Sequence, residues 1–297
     1  MNITTIIILY NSSIEESSTI QSLLTSNITN INLKVIIWNN GPKPLMKDEY
    51  LKFKNIFDSY KIQLSIFENI HNIALSKIYN FFVTKKQFDF FSILDQDSKL
   101  SSDFFQNIKN NSDYDVIVPA IYSSGWRTKE NSLCFPIYHK SRDLFDKQIF
   151  EMGEIESISS GLTISKRLKD RLNENNNQIF NERYALYAID TCFFIDLKSL
   201  SDSIYKGICL GKIDHSLDFK LQNPNKISSS RKLEMEYSKV LNKILYAKKS
   251  KLNVFLYLLR KLVKQKYSFY VFIKLVKCLI KHKHPRSSIP ITMKQLL

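Results

Sequence analysis

Short apolar runs alternate with helix-spaced segments along the first 120 residues. Residues 4–10 (TTIIILY) are β-branched and unbroken, the pattern of a strand buried on both faces. Asn11, Ser12 and Ser13 then offer a cap, and Glu15 and Glu16 suit the first turn of a helix to about Leu24. Residues 33–38 form a second strand, stopped by Asn39, Asn40, Gly41 and Pro42. Residues 62–67 suit a third strand, 74–82 a helix, 90–94 a fourth strand and 114–119 a fifth. Alternation of this kind predicts an α/β fold with an open, mostly parallel sheet flanked by helices. Residues 120–157 are aromatic and without period, as in an excursion over the active face. Strand character returns at 159–165 and 204–210, helical spacing at 184–197 and from Ser229 onward, and 173–177 (NENNN) reads as a surface loop.

Composition narrows the class. Of 297 residues 44% are hydrophobic and 12% aromatic, too much apolar mass for a disordered or fibrous chain. With 6 glycines the chain contains neither G-x-G-x-x-G nor a Walker-type phosphate loop. Four scattered cysteines without C-x-x-C argue against a zinc cluster or disulfide framework and fit a reducing compartment. The net charge of +15 is wholly C-terminal: residues 1–236 hold 28 basic and 28 acidic side chains, residues 237–297 hold 15 basic and none acidic. No basic leader with a cleavable apolar stretch opens the chain, and residues 252–280 are interrupted by Arg260, Lys261, Lys264, Lys266, Lys274 and Lys277, so no bilayer span is expected.

In parallel α/β sheets ligands bind beyond the carboxyl ends of the strands. Polar residues there are Tyr10, Asn11, Asn39, Asn40 and the Asp95-Gln96-Asp97 turn. Two carboxylates at i and i+2 can reach one hard divalent cation, Mn²⁺ or Mg²⁺, or the oxygens of its ligand. The competing reading is a helix cap, with Asp97 and Ser98 opening a helix at Lys99.

Residues 91–98 (FSILDQDS) resemble the LDQDS signature of family 2 glycosyltransferases with the GT-A fold, most closely the rhamnosyltransferase-like and galactofuranosyltransferase-like branch. Further segments follow in that family's order. They are 6–11 (IIILYN), 35–41 (VIIWNNG), Asn72 with Asn80 on one helix, Ser159-Ser160-Gly161, 187–191 (YAIDT) and 213–215 (IDH), over about residues 3–220. The departures are Asn39 for the usual base-contacting Asp, Ala74 for a Gly, and Cys192 for a second acid after Asp190. The resemblance implies an inverting, metal-dependent transferase acting on a nucleoside-diphosphate sugar of the dTDP-rhamnose or UDP-galactofuranose type, or another UDP-hexose. The acceptor would be a saccharide, lipid-linked, in bacterial surface polysaccharide synthesis. It implies metal ligation by Asp97, His215 and Asp95, donor binding by Tyr10, Asn11, Asn39, Asn72, Asn80 and Asp95, general base action by Asp190, and acceptor contact by Ser160 and Gly161. Trp126 in 121–126 (IYSSGW) could stack on a sugar ring, though it and Tyr122 could equally be packing residues, as Asp190 could be a helix cap and His215 structural.

These readings divide the chain into a transferase domain over 1–228 and a basic amphipathic helical tail over 229–297. The domain has a nucleotide-sugar half to about 120 and an acceptor half beyond it. The tail suggests docking on an anionic membrane, hence a peripheral cytoplasmic location on the inner membrane face. No nucleic-acid partner is expected, and a homo-oligomer is left open. Two other functions compete. A binding protein using only the basic tail leaves Asp95, Asp97, Asp190 and His215 unexplained. A sugar-nucleotide pyrophosphorylase would need a glycine-rich basic loop where residues 10–15 (YNSSIE) stand.

Overall fold

The computed structural model describes residues 1–124, 131–138, 146–151, 154–174, 178–200, 205–217 and 228–297. Trp126 lies outside the described residues. The sheet is built on β1 (Asn2–Leu9), β2 (Asn32–Asn39), β3 (Gln63–Glu68) and β4 (Phe90–Asp95), all parallel, in the order β3-β2-β1-β4. Later in the chain come β5 (Ser98–Leu100), β6 (Val116–Ser124), β7 (Asn131–Phe135), β8 (Ile137–Tyr138), β9 (Gln148–Phe150), β10 (Ile155–Glu156), β11 (Thr163–Ser165) and β12 (Gly207–His215), of which β8 and β10 pair antiparallel as a separate two-stranded sheet. β11 inserts antiparallel between β4 and β6, and β12 runs parallel to β6. The two-residue strand β13 (Lys294–Gln295) returns antiparallel to β3.

Side chains alternate across β1. Ile6 and Ile8 enter one core with Trp38, Phe91 and Ile93, while Ile7 and Leu9 enter the other with Ile37 and Leu94. Helices α1 (Ser18–Leu24), α2 (Lys47–Ser59) and α4 (Phe104–Asn110) cover the second face. Helices α3 (Leu75–Lys85), α5 (Lys166–Glu174) and α6 (Ile189–Leu200) cover the first. Three further helices, α7 (Ser229–Leu245), α8 (Lys251–Val263) and α9 (Phe269–Lys281), join that first core through Val240, Leu241, Val254, Leu258, Leu275 and Leu279.

Several boundaries differ from the sequence reading. The first helix starts later, because Ser17 caps it by accepting from Ile20 N, while Glu16 accepts from Ser13 N at 2.9 Å and stays in the preceding turn. No helix begins at Lys99: Ser98–Leu100 is strand β5, paired with β12. The 184–197 helix begins only at Ile189, because Ala188 takes φ 67° and breaks the turn before it. The 204–210 strand continues as β12 to His215 through a register shift at Gly211, whose φ of 73° suits glycine.

Candidate active site

Four parallel strands deliver their carboxyl ends to one edge. The register sets Leu9 opposite Asn39, Asn39 opposite Glu68 and Ile8 opposite Asp95. Strand order changes direction between β1 and β4, the crevice where such sheets take ligands. Gln96 bridges it: its Oε1 accepts from Tyr10 N at 2.7 Å and its Nε2 donates to Tyr10 O at 3.3 Å. Tyr10 keeps 47% of its surface exposed. Asn11, at φ 51°, donates its backbone N–H to Gly41 O at 2.7 Å, tying the ends of β1 and β2.

His215 ends β12 and pairs with Ser98 of β5, which carries the imidazole to the D-x-D turn. Its Nε2 lies 3.5 Å from Asp95 Oδ2 and 3.5 Å from Asp97 Oδ1. Ser216 Oγ donates to Asp97 Oδ2. Burial raises the Asp97 pKa, the nearby His215 opposes that rise and Asp95 adds to it. Thr19 holds the turn from below, its hydroxyl donating to Asp95 O and accepting from Ser98 N at 2.7 Å.

Two carboxylates on one strand-end turn suit a hard cation such as Mn²⁺ or Mg²⁺. Among the described residues no three His, Cys, Asp or Glu side chains form a ready metal cage. A cation held by Asp95 and Asp97 would have room for water and substrate oxygens in its shell, as Mg²⁺ commonly does. His215 carries a condition. Leu217 N–H donates to its Nδ1 at 3.0 Å, so the neutral ring keeps its proton on Nε2, facing the carboxylates. Ligation through Nε2 needs the other tautomer and requires Leu217 N–H to let go.

Asp190 stands in the first turn of α6, half-buried. Burial pushes its pKa to about 6; Thr191 N–H, donating to its Oδ1 at 2.8 Å, opposes the rise, while Glu156 and Asp95 add to it. Glu156 of β10 accepts from Thr191 Oγ1 at 3.3 Å. Tyr79 is fully buried in α3, and burial drives its pKa well up, the charges of Asp95 and Asp190 adding to the rise and Ser159 opposing it.

No protein-family model matches the chain, and no curated protein does. Solved structures do match. S. aureus TarS 1–349 in complex with UDP-GlcNAc aligns over 97% of this chain and 83% of its own, at 13% identity and TM-score 0.53. Another crystal structure of S. aureus TarS 1–349 aligns over 82% of this chain and 66% of its own, at 13% identity and TM-score 0.51. S. aureus TarS itself aligns over 97% of this chain and 50% of its own, at 13% identity and TM-score 0.52. The chain thus spans half to two thirds of the length of those last two structures. The fold is GT-A.

Within the GT-A frame the remaining site residues sort by what they touch. Asn39 is buried, and its amide is fully engaged: Nδ2 donates to Lys43 O at 2.7 Å and to Glu68 Oε2 at 3.0 Å, while Oδ1 accepts from Gly41 N at 3.0 Å. Glu68 also accepts from Leu45 N at 2.6 Å. The acid of this corner is therefore Glu68, at the end of β3, and position 39 is the donor that faces it. Asn40, also buried, accepts from Trp38 Nε1 at 3.1 Å and Ile73 N at 2.9 Å, and donates to Asn72 Oδ1 at 3.3 Å. Asn72, at φ 51°, is held by Arg286 of the C-terminal segment, whose Nη1 donates to Asn72 Oδ1 and whose Nη2 pairs with Glu234 at 2.6 Å.

Asn80 points elsewhere. Its Nδ2 donates to Phe180 O at 2.7 Å and Glu182 Oε1 at 3.1 Å, and its Oδ1 accepts from Phe180 N at 2.9 Å. It fastens the segment before α6 rather than joining the strand-end cluster. Ser160 is fully buried, its hydroxyl on Asp95 N at 3.3 Å and on Ser98 Oγ, so it acts on the D-x-D turn from behind. Gly161, at φ 84°, donates to Ile93 O at 2.7 Å, and a Cβ there would meet Pro119 Cγ at 2.4 Å. Both hold the end of β4. A cavity of about 650 Å³ bounded by Met1, Asp89 and Arg167 lies at the opposite, amino end of β1 and β4, away from these carboxylates. Glu68, Tyr79 and Glu156 were absent from the sequence reading, and Arg286, which the sequence offers only as one of the tail's cations, instead clasps Asn72 and Glu234.

Proposed function

We propose that this chain is an inverting, metal-dependent glycosyltransferase using a nucleoside-diphosphate sugar. The observation that carries the reading is the convergence of Asp95, Asp97 and His215 at a GT-A strand end. Tyr10 and the Asn39–Glu68 pair flank the nucleotide side, where an exposed ring can stack on a base and polar groups can read its edge. A divalent cation at Asp95 and Asp97 would supply Lewis-acid neutralisation of the leaving diphosphate. Asp190 receives the proton of the acceptor hydroxyl as that oxygen attacks the anomeric carbon. The bond between that carbon and the diphosphate oxygen breaks, and the nucleoside diphosphate leaves with the electron pair. Attack opposite the leaving group inverts the configuration. A carboxylate with pKa about 6 is ionised at neutral pH yet basic enough to take that proton.

For the finer identity we keep a dTDP-rhamnose, UDP-galactofuranose or related UDP-hexose donor and a lipid-linked saccharide acceptor in surface polysaccharide synthesis. The site of action would be the inner face of the cell membrane. The test is nucleoside-diphosphate release across a panel of nucleotide sugars, with Mn²⁺ or Mg²⁺ and with chelator. Metal-dependent release from one donor class is expected. Absence of both release and thermal stabilisation across the panel would overturn the reading.

A further inference from the structure

Two sets of apolar side chains stand out on α8 and α9. Val254 and Leu258, with Leu275 and Leu279, are buried in the core. A second set stays in solvent. On α8 it is Leu252, Leu256, Leu259 and Val263, exposed by 65%, 39%, 37% and 74%. On α9 it is Phe269, Ile273 and Ile280, exposed by 67%, 38% and 67%, with Tyr270, exposed by 63%, to one side of their line. Spacings of four, three and four residues, and of four and seven, put each set on one helical stripe.

The helices touch through Phe255 and Phe272, ring centroids 5.9 Å apart, and only residues 264–268 connect them. Phe255 precedes Leu256 by one residue, as Phe272 precedes Ile273. Each stripe therefore lies the same rotation, about one residue step, beyond the mutual contact. In an antiparallel hairpin, the arrangement a short connection favours, equal rotations from the contact turn both stripes to the same side. Beside the stripes run exposed basic residues, Arg260 on α8 and Lys264 just past its end, Lys277 and Lys281 on α9.

We propose that this two-helix face docks on an anionic lipid bilayer surface. Apolar side chains projecting from an otherwise folded hairpin enter the acyl boundary, while the flanking cations meet anionic headgroups. The charge decides the occupant. Residues 237–297 contain no acid, so a second copy seated on the same face would set lysine rows against lysine rows. The inference stands apart from the transferase reading, since lipid binding is measured without donor or acceptor.

The test is co-sedimentation of the full chain with phosphatidylcholine vesicles, with and without phosphatidylglycerol. Binding is expected only with the anionic lipid and is expected to weaken in high salt. Arg260→Gln, Lys264→Gln and Lys277→Gln together should weaken it about 100-fold. Leu256→Gln with Ile273→Gln should weaken it about 10-fold or more. Ile273→Trp supplies a second readout, a blue shift of its emission on anionic vesicles. Equal binding to both vesicle types, or no blue shift, would overturn the proposal. So would glutamine variants that abolish self-association of the chain and leave vesicle binding unchanged.

Discussion

Replacing Asn39 by the acid its position resembles should damage the protein. Asn39 is 1% exposed and donates to Glu68 Oε2 at 3.0 Å and Lys43 O at 2.7 Å. Asn39→Asp removes both donors and sets two carboxylates in contact. At that separation, with an effective dielectric near 20, the repulsion would be about 5 kcal/mol. Proton uptake limits it: holding one carboxyl neutral at pH 7 against an unfolded pKa near 4 costs about 4 kcal/mol. The lost hydrogen bond to Lys43 adds about 1 kcal/mol. Since the pair's folded pKa is raised, the electrostatic penalty is absent below about pH 4 and grows by about 1.4 kcal/mol per unit as pH rises. Urea unfolding at pH 5 and pH 7 should show a loss of about 2–3 and about 4–5 kcal/mol respectively. Glu68→Gln in the same chain should restore most of the pH 7 loss. A variant within 1 kcal/mol of wild type at pH 7, or a penalty indifferent to pH and to Glu68→Gln, would refute the corner as described.

Further outcomes test the site. Asp190→Asn should lower sugar transfer about 100-fold with donor binding intact; in wild type the rate should climb with pH through about 6, and a flat profile would move the base elsewhere. Because burial raises the Asp190 pKa, its cost is absent below about pH 4 and present at neutral pH, so the same variant should melt later at pH 7 and equally at pH 4. Asp97→Ala should abolish thermal stabilisation by Mn²⁺ with nucleoside diphosphate and leave the cation-free melting temperature within a few degrees, whereas retained stabilisation would remove Asp97 from the metal site. Tyr79→Phe deletes a fully buried hydroxyl that makes no well-formed hydrogen bond; a gain of about 1 kcal/mol in stability is expected, and a loss would mean that the hydroxyl has a structural partner, Ser159 being the neighbour in reach.

The strands that build the site were legible because they are buried on both faces, and an unbroken run such as 3–9 in β1 has few other folds open to it. The Asp95–Asp97 turn was legible by its place after β4, and the absence of a helix at Lys99 removes the capping alternative. His215 reached the same turn as expected, but its proton position depends on Leu217 N–H, a backbone contact that no spacing announces. Glu68 was hidden because its meaning comes from lateral register with Asn39, 29 residues away. The start of α6 was missed because a positive φ at Ala188 leaves no mark when the residue is not glycine. In the C-terminal helices the periodicity announced apolar faces without saying which of two would be covered. Val254 and Leu258 became core, Leu256 and Val263 did not.

The closure of β13 on β3 has a consequence for synthesis. Leu296 N–H donates to Ile66 O at 2.8 Å, and Arg286 reaches Asn72 from 214 residues away. At about 5–20 residues per second, the ribosome needs roughly 10–45 s to travel from β3 to its partner. Through that interval β3 is an open sheet edge, and the turn at Asn72 lacks its arginine clasp. Such an edge is the natural place for a nascent chain to pair wrongly. Once made, β13 ends the hazard, being only two residues long and opened by Lys294, a poor template for any further strand.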